Sequence, residues 1–131
     1  MTDTTVLLVD DDRTILKSLR EQIRALYGST LGCETTESVE EAWEVLTELQ
    51  ERDDVKVILI VSDWLMPEVK GDVFLSEVRQ RYPKIVRVML TGQADSSVLE
   101  RVQAEGLAHK LIFKPWSRED IEHAVGLALN T

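Results

Sequence analysis

The fold is decided by residues 58–67, which read Ile58-Leu59-Ile60-Val61-Ser62-Asp63-Trp64-Leu65-Met66-Pro67. The run 57–61 is continuously apolar and rich in β-branched residues, which is typical of a strand buried on both faces of a parallel sheet. The strand must end near Asp63, because Pro67 has no backbone N–H for a sheet and Gly71 permits a tight turn into a helix. The carboxyl end of such a strand is where open α/β sheets bind their ligands. The stretch therefore predicts a functional carboxylate at Asp63.

Length and composition indicate a single globular domain over residues 1–131. Hydrophobic residues make up 44% of the chain and charged residues 30%, a balance that allows a core without disulfides or a structural metal. The 24 acidic residues outnumber the 15 Lys and Arg residues, which gives a net charge of −9. Such a surface repels nucleic acid and anionic lipid. We expect no Lys/Arg stripe that reverses this, and hence no direct binding to nucleic acid or to membranes.

The compartment follows from three further features of the sequence. The single cysteine, Cys33, cannot form an intramolecular disulfide and fits a reducing cytosol. The first residues lack the basic start and apolar stretch of a signal peptide, and no apolar run approaches membrane-spanning length. We predict a cytoplasmic protein in which Cys33 is a small buried residue of a strand.

Five apolar runs with strand character alternate with five helical patterns. The predicted strands are 6–9, 31–36, 57–61, 85–90 and 110–113. Predicted helices follow each strand, with Ser38 and Glu41 as a capping box on the second, Tyr82-Pro83 ending the third and Gly106 ending the fourth. The third helix is expected to point Val73, Phe74 and Val78 inward. The last is expected to begin at Ser117 and to bury Ile121, Ala124, Val125, Ala128 and Leu129.

This alternation predicts an α/β fold with a five-stranded parallel sheet, covered by helices on both faces. The common strand order for such a sheet is 2-1-3-4-5, which places strands one and three side by side. Asp10 and Asp11, after strand one, would then meet Asp63. Thr91 and Lys114 would arrive from the ends of strands four and five.

Three carboxylates in one pocket need a positive partner. Their repulsion amounts to roughly 4 kcal/mol for each pair of charges about 4 Å apart in a medium of effective dielectric near 20. Lys114 can offset part of it, and Mg²⁺, which favours oxygen ligands, can offset more. Together with a hydroxyl, these groups suit phosphoryl transfer to an aspartate.

The residues that carry this prediction resemble a known family. The chain shows Asp10-Asp11 after an apolar strand, Asp63 followed by Met66-Pro67 and Gly71, Leu90-Thr91-Gly92, and Phe113-Lys114-Pro115. Together, and in this order along the whole chain, they resemble the receiver domain of two-component response regulators. The resemblance implies the receiver, flavodoxin-like fold and a phosphorelay function.

The resemblance also implies roles for individual residues. Asp63 would be the phosphoacceptor, and Asp10, Asp11, Asp63 and the backbone carbonyl of Leu65 would hold Mg²⁺. Thr91 would bind the phosphoryl group, and Lys114 would pair with it, its bond to Pro115 being cis. The partners would be a sensor histidine kinase or phosphotransfer protein and a downstream output domain or target.

One position departs from the family pattern. Receivers usually carry an aromatic switch residue three positions before the strand-five lysine, and this chain has Leu111 there. Either an aliphatic side chain follows Thr91 on phosphorylation, or Phe113 contributes.

Other interpretations remain beside the main one. The alternative function is a Mg²⁺-dependent phosphohydrolase acting through an aspartyl phosphate, although Leu65 stands where such enzymes place a general acid. A nucleotide binder would need a phosphate loop where Asp10, Asp11 and Asp12 stand. Asp12 fits a helix cap, Trp43 fits packing, and His109 and His123 have no partner at ligand spacing. Trp64 and Trp116 are either exposed at the pocket or packed locally.

The chain is expected to be either a stand-alone regulator or the receiver of a longer protein. Its Leu90-Thr91-Gly92 and Lys114-Pro115-Trp116 sequences resemble those of receivers joined to signalling-enzyme outputs, which favours the longer protein.

Overall fold

The computed structural model describes residues 3–64, 70–92 and 96–130, with residues 96–98 described by their backbone alone. Strands and helices alternate along these residues. In chain order the elements are β1 (Asp3–Val9), α1 (Arg13–Tyr27), β2 (Gly32–Thr36), α2 (Val39–Glu51), β3 (Val55–Asp63), α3 (Gly71–Arg81), β4 (Val86–Thr91), α4 (Ser96–Glu105), β5 (Lys110–Phe113) and α5 (Arg118–Leu129), with one 3₁₀ turn at Gly28–Thr30.

The sheet is parallel and has the order β2-β1-β3-β4-β5, so the predicted fold class and strand order are confirmed. The register brings the strand ends level, since Val9 pairs with Ser62 and Asp63 pairs with Leu90. Thr91 pairs with Phe113 at the end of β5. The residues that follow these pairs therefore meet at one edge of the sheet.

Each face of the sheet carries its own apolar core. On one face α1 and α5 pack against strand residues such as Leu8 and Val88. On the other face α2, α3 and α4 pack around Leu7, Ile60 and Phe74. Because β1 and β3 are covered on both sides, their central residues are apolar without alternation, as the sequence indicated.

Side-chain caps mark where α1, α2 and α5 begin. The Asp12 carboxylate accepts hydrogen bonds from the backbone N–H groups of Thr14 and Ile15, so Asp12 is the expected cap of α1. The Ser38 hydroxyl accepts the N–H of Glu41. Ser117 and Asp120 form a reciprocal capping box at α5. These bonds satisfy N–H groups that have no partner inside the helix.

Two residues expected inside lie at the surface. Val73 is 46% exposed, because the buried side of α3 is formed by Phe74, Leu75 and Val78. Leu129, the last residue of α5, is 54% exposed, because the buried side of that helix is formed by Ile121, Ala124, Val125 and Ala128. Leu31, the predicted first residue of the second strand, is buried but precedes that strand.

None of the helices in the described part of the chain combines the length and the apolar character needed to cross a bilayer.

Candidate functional site

Three carboxylates meet at the carboxyl edge of the sheet. Asp10 directly follows β1 and is 1% exposed, Asp63 is the last residue of β3 and is 5% exposed, and Asp11 is exposed. One carboxylate oxygen of each residue lies within 4.8 Å of one from each of the others. The predicted convergence of these acids is therefore present in the structure.

Lys114 brings the positive charge that the sequence required. Its Nζ lies 3.0 Å from Asp63 Oδ1 and 3.2 Å from Asp10 Oδ2. The backbone N–H of Lys114 donates to the carbonyl of Thr91 at 2.8 Å, which ties the segment after β5 to the end of β4. The peptide bond between Lys114 and Pro115 is cis, as expected.

Lys114 offsets only part of the negative charge of the three carboxylates. Burial raises the pKa of Asp10 to about 6, the charge of Asp63 adds to this, and Lys114 opposes it. Burial also raises the pKa of Asp63 against the lowering effect of Lys114. Burial alone would lower the pKa of the Lys114 ammonium, but its bonds to Asp63 and Asp10 raise it. Three acids and one lysine leave an excess of two negative charges when all are ionised.

That excess fits a hard divalent cation. The donors are all carboxylate oxygens, which Mg²⁺ prefers, and the buried Asp10 has a raised pKa that a cation would counteract. Asp10, Asp11 and Asp63 are the side chains that could hold the ion. The predicted fourth ligand, the carbonyl of Leu65, lies outside the described residues and remains a prediction. Met66 and Pro67, which carry part of the resemblance, lie outside them too.

The backbone at the start of α3 lies in close contact with the end of β3. The N–H of Gly71 donates to the carbonyl of Trp64 at 2.9 Å. A side chain at Gly71 would overlap the Asp63 carbonyl oxygen and come within 2.9 Å of Trp64 Cα. The sequence attributed Gly71 to a tight turn, but the structure shows a close backbone contact in a residue without positive φ.

Two buried charged residues were not anticipated. Asp72 is 4% exposed and forms an ion pair with Arg101 of α4. Arg87 on β4 is 5% exposed and donates to the carbonyls of Ile85, Gly106 and Leu107. An acid directly after Gly71 and an arginine inside an apolar strand were visible signals, but only the packing shows their partners.

The tryptophans near the site pack locally. Trp64 is half-buried against the α2–α4 side of the sheet, with the Lys70 ammonium 5.4 Å from its ring centroid. Trp116 is half-buried on the other side and donates its indole N–H to Gln22. Trp43 packs edge-on against Phe74, as expected for a packing residue.

His109 and His123 are exposed and lie outside the carboxylate cluster. His109 Nδ1 accepts the N–H of Arg87 at 2.9 Å. The Lys110 ammonium lies 2.9 Å from His123 Nδ1. Cys33 lies in β2 and is half-buried.

The arrangement of acids and lysine agrees with a family model. Residues 6–126 match the response regulator receiver domain. The chain belongs to the response regulator receiver domain family. Receivers are regulatory modules of two-component signal transduction, and the acidic pocket of this one is consistent with aspartyl phosphate and Mg²⁺.

Several known proteins are similar to this chain. The hydrogenase transcriptional regulatory protein HoxA of Cupriavidus necator is 37% identical over 117 residues, covering 86% of this chain and 21% of HoxA. The chemotaxis protein CheY1 of Helicobacter pylori is 26% identical over 128 residues, covering 96% of this chain and 97% of CheY1. The signal receiver domain of an HD domain-containing protein from Pseudomonas fluorescens superposes with a TM-score of 0.83 at 26% identity, covering 97% of this chain and 94% of that one. The chain thus spans about a fifth of HoxA.

Proposed function

We propose that this receiver is a phosphoacceptor switch in which Asp63 takes a phosphoryl group from a sensor histidine kinase or phosphotransfer protein. The observation that carries the proposal is the position of Lys114 Nζ between Asp63 and Asp10, with Asp11 in the same cluster. In this arrangement the Asp63 carboxylate provides the nucleophile, and the Lys114 ammonium provides a positive charge to stabilise phosphoryl oxygens.

In the proposed reaction an Asp63 carboxylate oxygen attacks the phosphorus atom in line. A P–O bond forms to Asp63 as the P–N bond of the donor phosphohistidine breaks, and its electron pair stays on the imidazole. Before the reaction the Lys114 ammonium donates a hydrogen bond to Asp63 Oδ1. In the proposed reaction it turns to a phosphoryl oxygen. Mg²⁺, when held by Asp10, Asp11, Asp63 and the carbonyl of Leu65, supplies further positive charge to those oxygens.

The response to phosphorylation starts at the ends of β4 and β5. Thr91 is 3% exposed and pairs with Phe113, which is 48% exposed. We infer that the Thr91 hydroxyl binds the phosphoryl group and that Phe113 transmits the change to the surface of α4, β5 and α5. Leu111 is instead half-buried against the core on the α2–α4 side of the sheet, which favours the exposed Phe113 as the responding side chain.

The wider role follows the same proposal. The receiver controls an output domain or target protein and catalyses only its own phosphorylation and dephosphorylation. We infer that it is the receiver part of a longer cytoplasmic regulator, supported by HoxA, of which the chain covers 21%. The net charge of −9 supports a protein target for this domain rather than nucleic acid or membrane.

Incubation with acetyl phosphate and Mg²⁺ tests the acceptor directly. Intact-protein mass spectrometry is expected to show one added phosphoryl group on the wild type and none on Asp63→Asn, because the amide is a far weaker nucleophile. Chelation of Mg²⁺ is expected to reduce the adduct strongly, since Lys114 alone leaves two negative charges uncompensated.

The matched control is Asp53→Asn, which makes the same change at an exposed acid outside the site. It should accept the phosphoryl group as the wild type does. An adduct that persists on Asp63→Asn, or a wild type that gains none from acetyl phosphate or its cognate kinase, would refute the assignment of Asp63.

A further inference from the structure

A cleft lies at the amino edge of the sheet, away from the carboxylate cluster. It has a volume of about 720 Å³, within the range of about 300–1,000 Å³ that is usual for small-molecule sites. Residues at the ends of α2, α3 and α5 border it together with the first part of β3. Lys56 in the cleft and Asp63 in the cluster are about 23 Å apart along β3, at about 3.3 Å per residue. The cleft is therefore separate from the site of phosphoryl transfer.

The cleft exists because two neighbouring strands begin at different levels. The pairing of β3 with β4 begins only at Leu59, opposite Val86. Within the described part of the chain, residues 55–57 of β3 pair with β1 alone. The cleft lies between this part of β3 and the turn at 82–85 that precedes β4. It is thus formed by the backbone of the fold and does not depend on the conformation of one side chain.

The walls of the cleft are largely apolar. Val57, Ile58, Ile85 and Ala128 are buried core residues that line it. Tyr82 is half-buried and adds an aromatic residue. Ligand sites typically combine such walls with a few polar or charged groups, because the apolar part of the ligand leaves water on binding. The walls therefore favour a ligand with an apolar body.

The charged residues of the cleft are all cations. Lys56, Arg81 and Lys84 are exposed and line it, and no acid does. Among the described residues, neither lysine takes part in an ion pair. The acid nearest to Lys56 in the sequence, Asp54, is instead paired with Arg52 at 2.7 Å.

Arg81 is held beside the cleft by an aromatic ring. Its guanidinium carbon lies 4.7 Å from the ring centroid of Trp43. This contact orients the guanidinium and leaves its positive charge in place. Three cations thus surround one apolar cleft in a chain whose net charge is −9.

We propose that the cleft binds a small organic anion with an apolar body. The body lies against the walls formed by Val57, Ile58 and Ile85, and the anionic group is held by Lys56, Lys84 and Arg81. The ligand contacts the ends of three helices and the start of β3, which are brought together only in the folded protein. Binding is therefore expected to raise the stability of the receiver.

A small anion fits this cleft better than a nucleic acid or an anionic membrane does. The 24 acidic residues of the chain outnumber its 15 Lys and Arg residues, so a long polyanion that extends beyond the cleft is repelled by the surrounding surface. Only a ligand small enough to remain among the three cations avoids this repulsion.

Two fluorescent probes that share their rings test the proposal. Anilinonaphthalene sulfonate carries one negative charge on an aromatic body, and N-phenylnaphthylamine is its neutral counterpart without the sulfonate. In about 0.1 M salt the sulfonate is expected to bind one-to-one, and the neutral probe at least about tenfold more weakly, because it gains nothing from the cations. In about 1 M salt, where the Debye length is about 3 Å, the difference between the probes should shrink.

Lys56→Gln with Lys84→Gln removes two of the cations and should weaken binding of the sulfonate about fivefold or more. The matched control is Lys17→Gln with Arg20→Gln, which removes the same charge from exposed residues of a different cleft beside α1. It should bind the sulfonate as the wild type does. In nuclear magnetic resonance spectra of the wild type, the sulfonate should shift the backbone amide signals of residues 56–58 and of Ile85.

Circular dichroism verifies that each variant is folded, as expected for changes at exposed positions. Equal affinity for the two probes would show a merely apolar groove and overturn the proposal. It would also be overturned if the control lost as much affinity as Lys56→Gln with Lys84→Gln, or if the amide shifts lay elsewhere. A peptide of alternating glutamate and leucine that binds where the sulfonate does not would assign the cleft to a protein partner instead. The experiment requires no phosphorylation of Asp63, so its outcome is independent of the proposed function.

Discussion

Gly71→Ala is expected to destabilise the receiver by about 3–5 kcal/mol, the range of severe single substitutions. The added methyl group would overlap the carbonyl oxygen of Asp63 and approach Trp64 Cα within 2.9 Å. These are backbone atoms at the end of a buried central strand, so they cannot turn aside as a side chain could. Urea unfolding followed by circular dichroism measures the free energy of unfolding. Because the clash is at Asp63 itself, phosphorylation should fall as well.

Gly126→Ala is the matched control. Gly126 lies within α5, and a methyl group there would meet no atom within 4 Å. Alanine favours a helix by about 1 kcal/mol relative to glycine, so this variant should be more stable than the wild type. If Gly71→Ala unfolded at the same urea concentration as the wild type, the start of α3 would not be in close contact with the end of β3.

Asp10→Asn is expected to stabilise the metal-free protein by about 1–3 kcal/mol at neutral pH. Burial raises the pKa of Asp10 to about 6 in the folded protein, from 3.8. A carboxyl whose folded pKa is raised destabilises the fold when ionised, so the penalty is present above pH 6 and disappears as the pH falls towards 4. Wild-type stability in a chelator should therefore rise by about 1 kcal/mol from pH 7 to pH 5 relative to the variant.

Thermal and urea unfolding of both proteins across this pH range measure the difference. Burial also lowers the pKa of His109, so the effect of His109 on stability has the opposite pH dependence. Both proteins keep His109, so the difference between them isolates the contribution of Asp10. Mg²⁺ should stabilise the wild type but much less the variant, because a ligand that binds only the folded state adds to its stability. Asp53→Asn, at an exposed site, should change stability by less than about 0.5 kcal/mol. A variant less stable than the wild type in chelator at pH 7 would show that the ionised Asp10 carboxylate does not destabilise the folded protein.

The sequence alone determined the order of the elements and the principal members of the site. Buried parallel strands are continuous apolar runs, and each run stops at a polar residue, so Asp10, Asp63 and Lys114 could be placed at strand ends from local patterns. The strand order then brought those ends together. Local patterns were less reliable at helix margins, where Val73 and Leu129 proved to be exposed.

Only the tertiary structure decided how these residues act on one another. Distances between chain-distant atoms reveal that Lys114 contacts two acids at once and that Gly71 is needed for a close backbone contact. The buried pairing of Asp72 with Arg101 also depends on how α3 and α4 pack. The strand order could be expected from the sequence, but the level at which the strand ends meet depends on the register of β1, β3 and β4. Register is set by hydrogen bonds between strands and by packing across the sheet, and neither is encoded in a local stretch of residues.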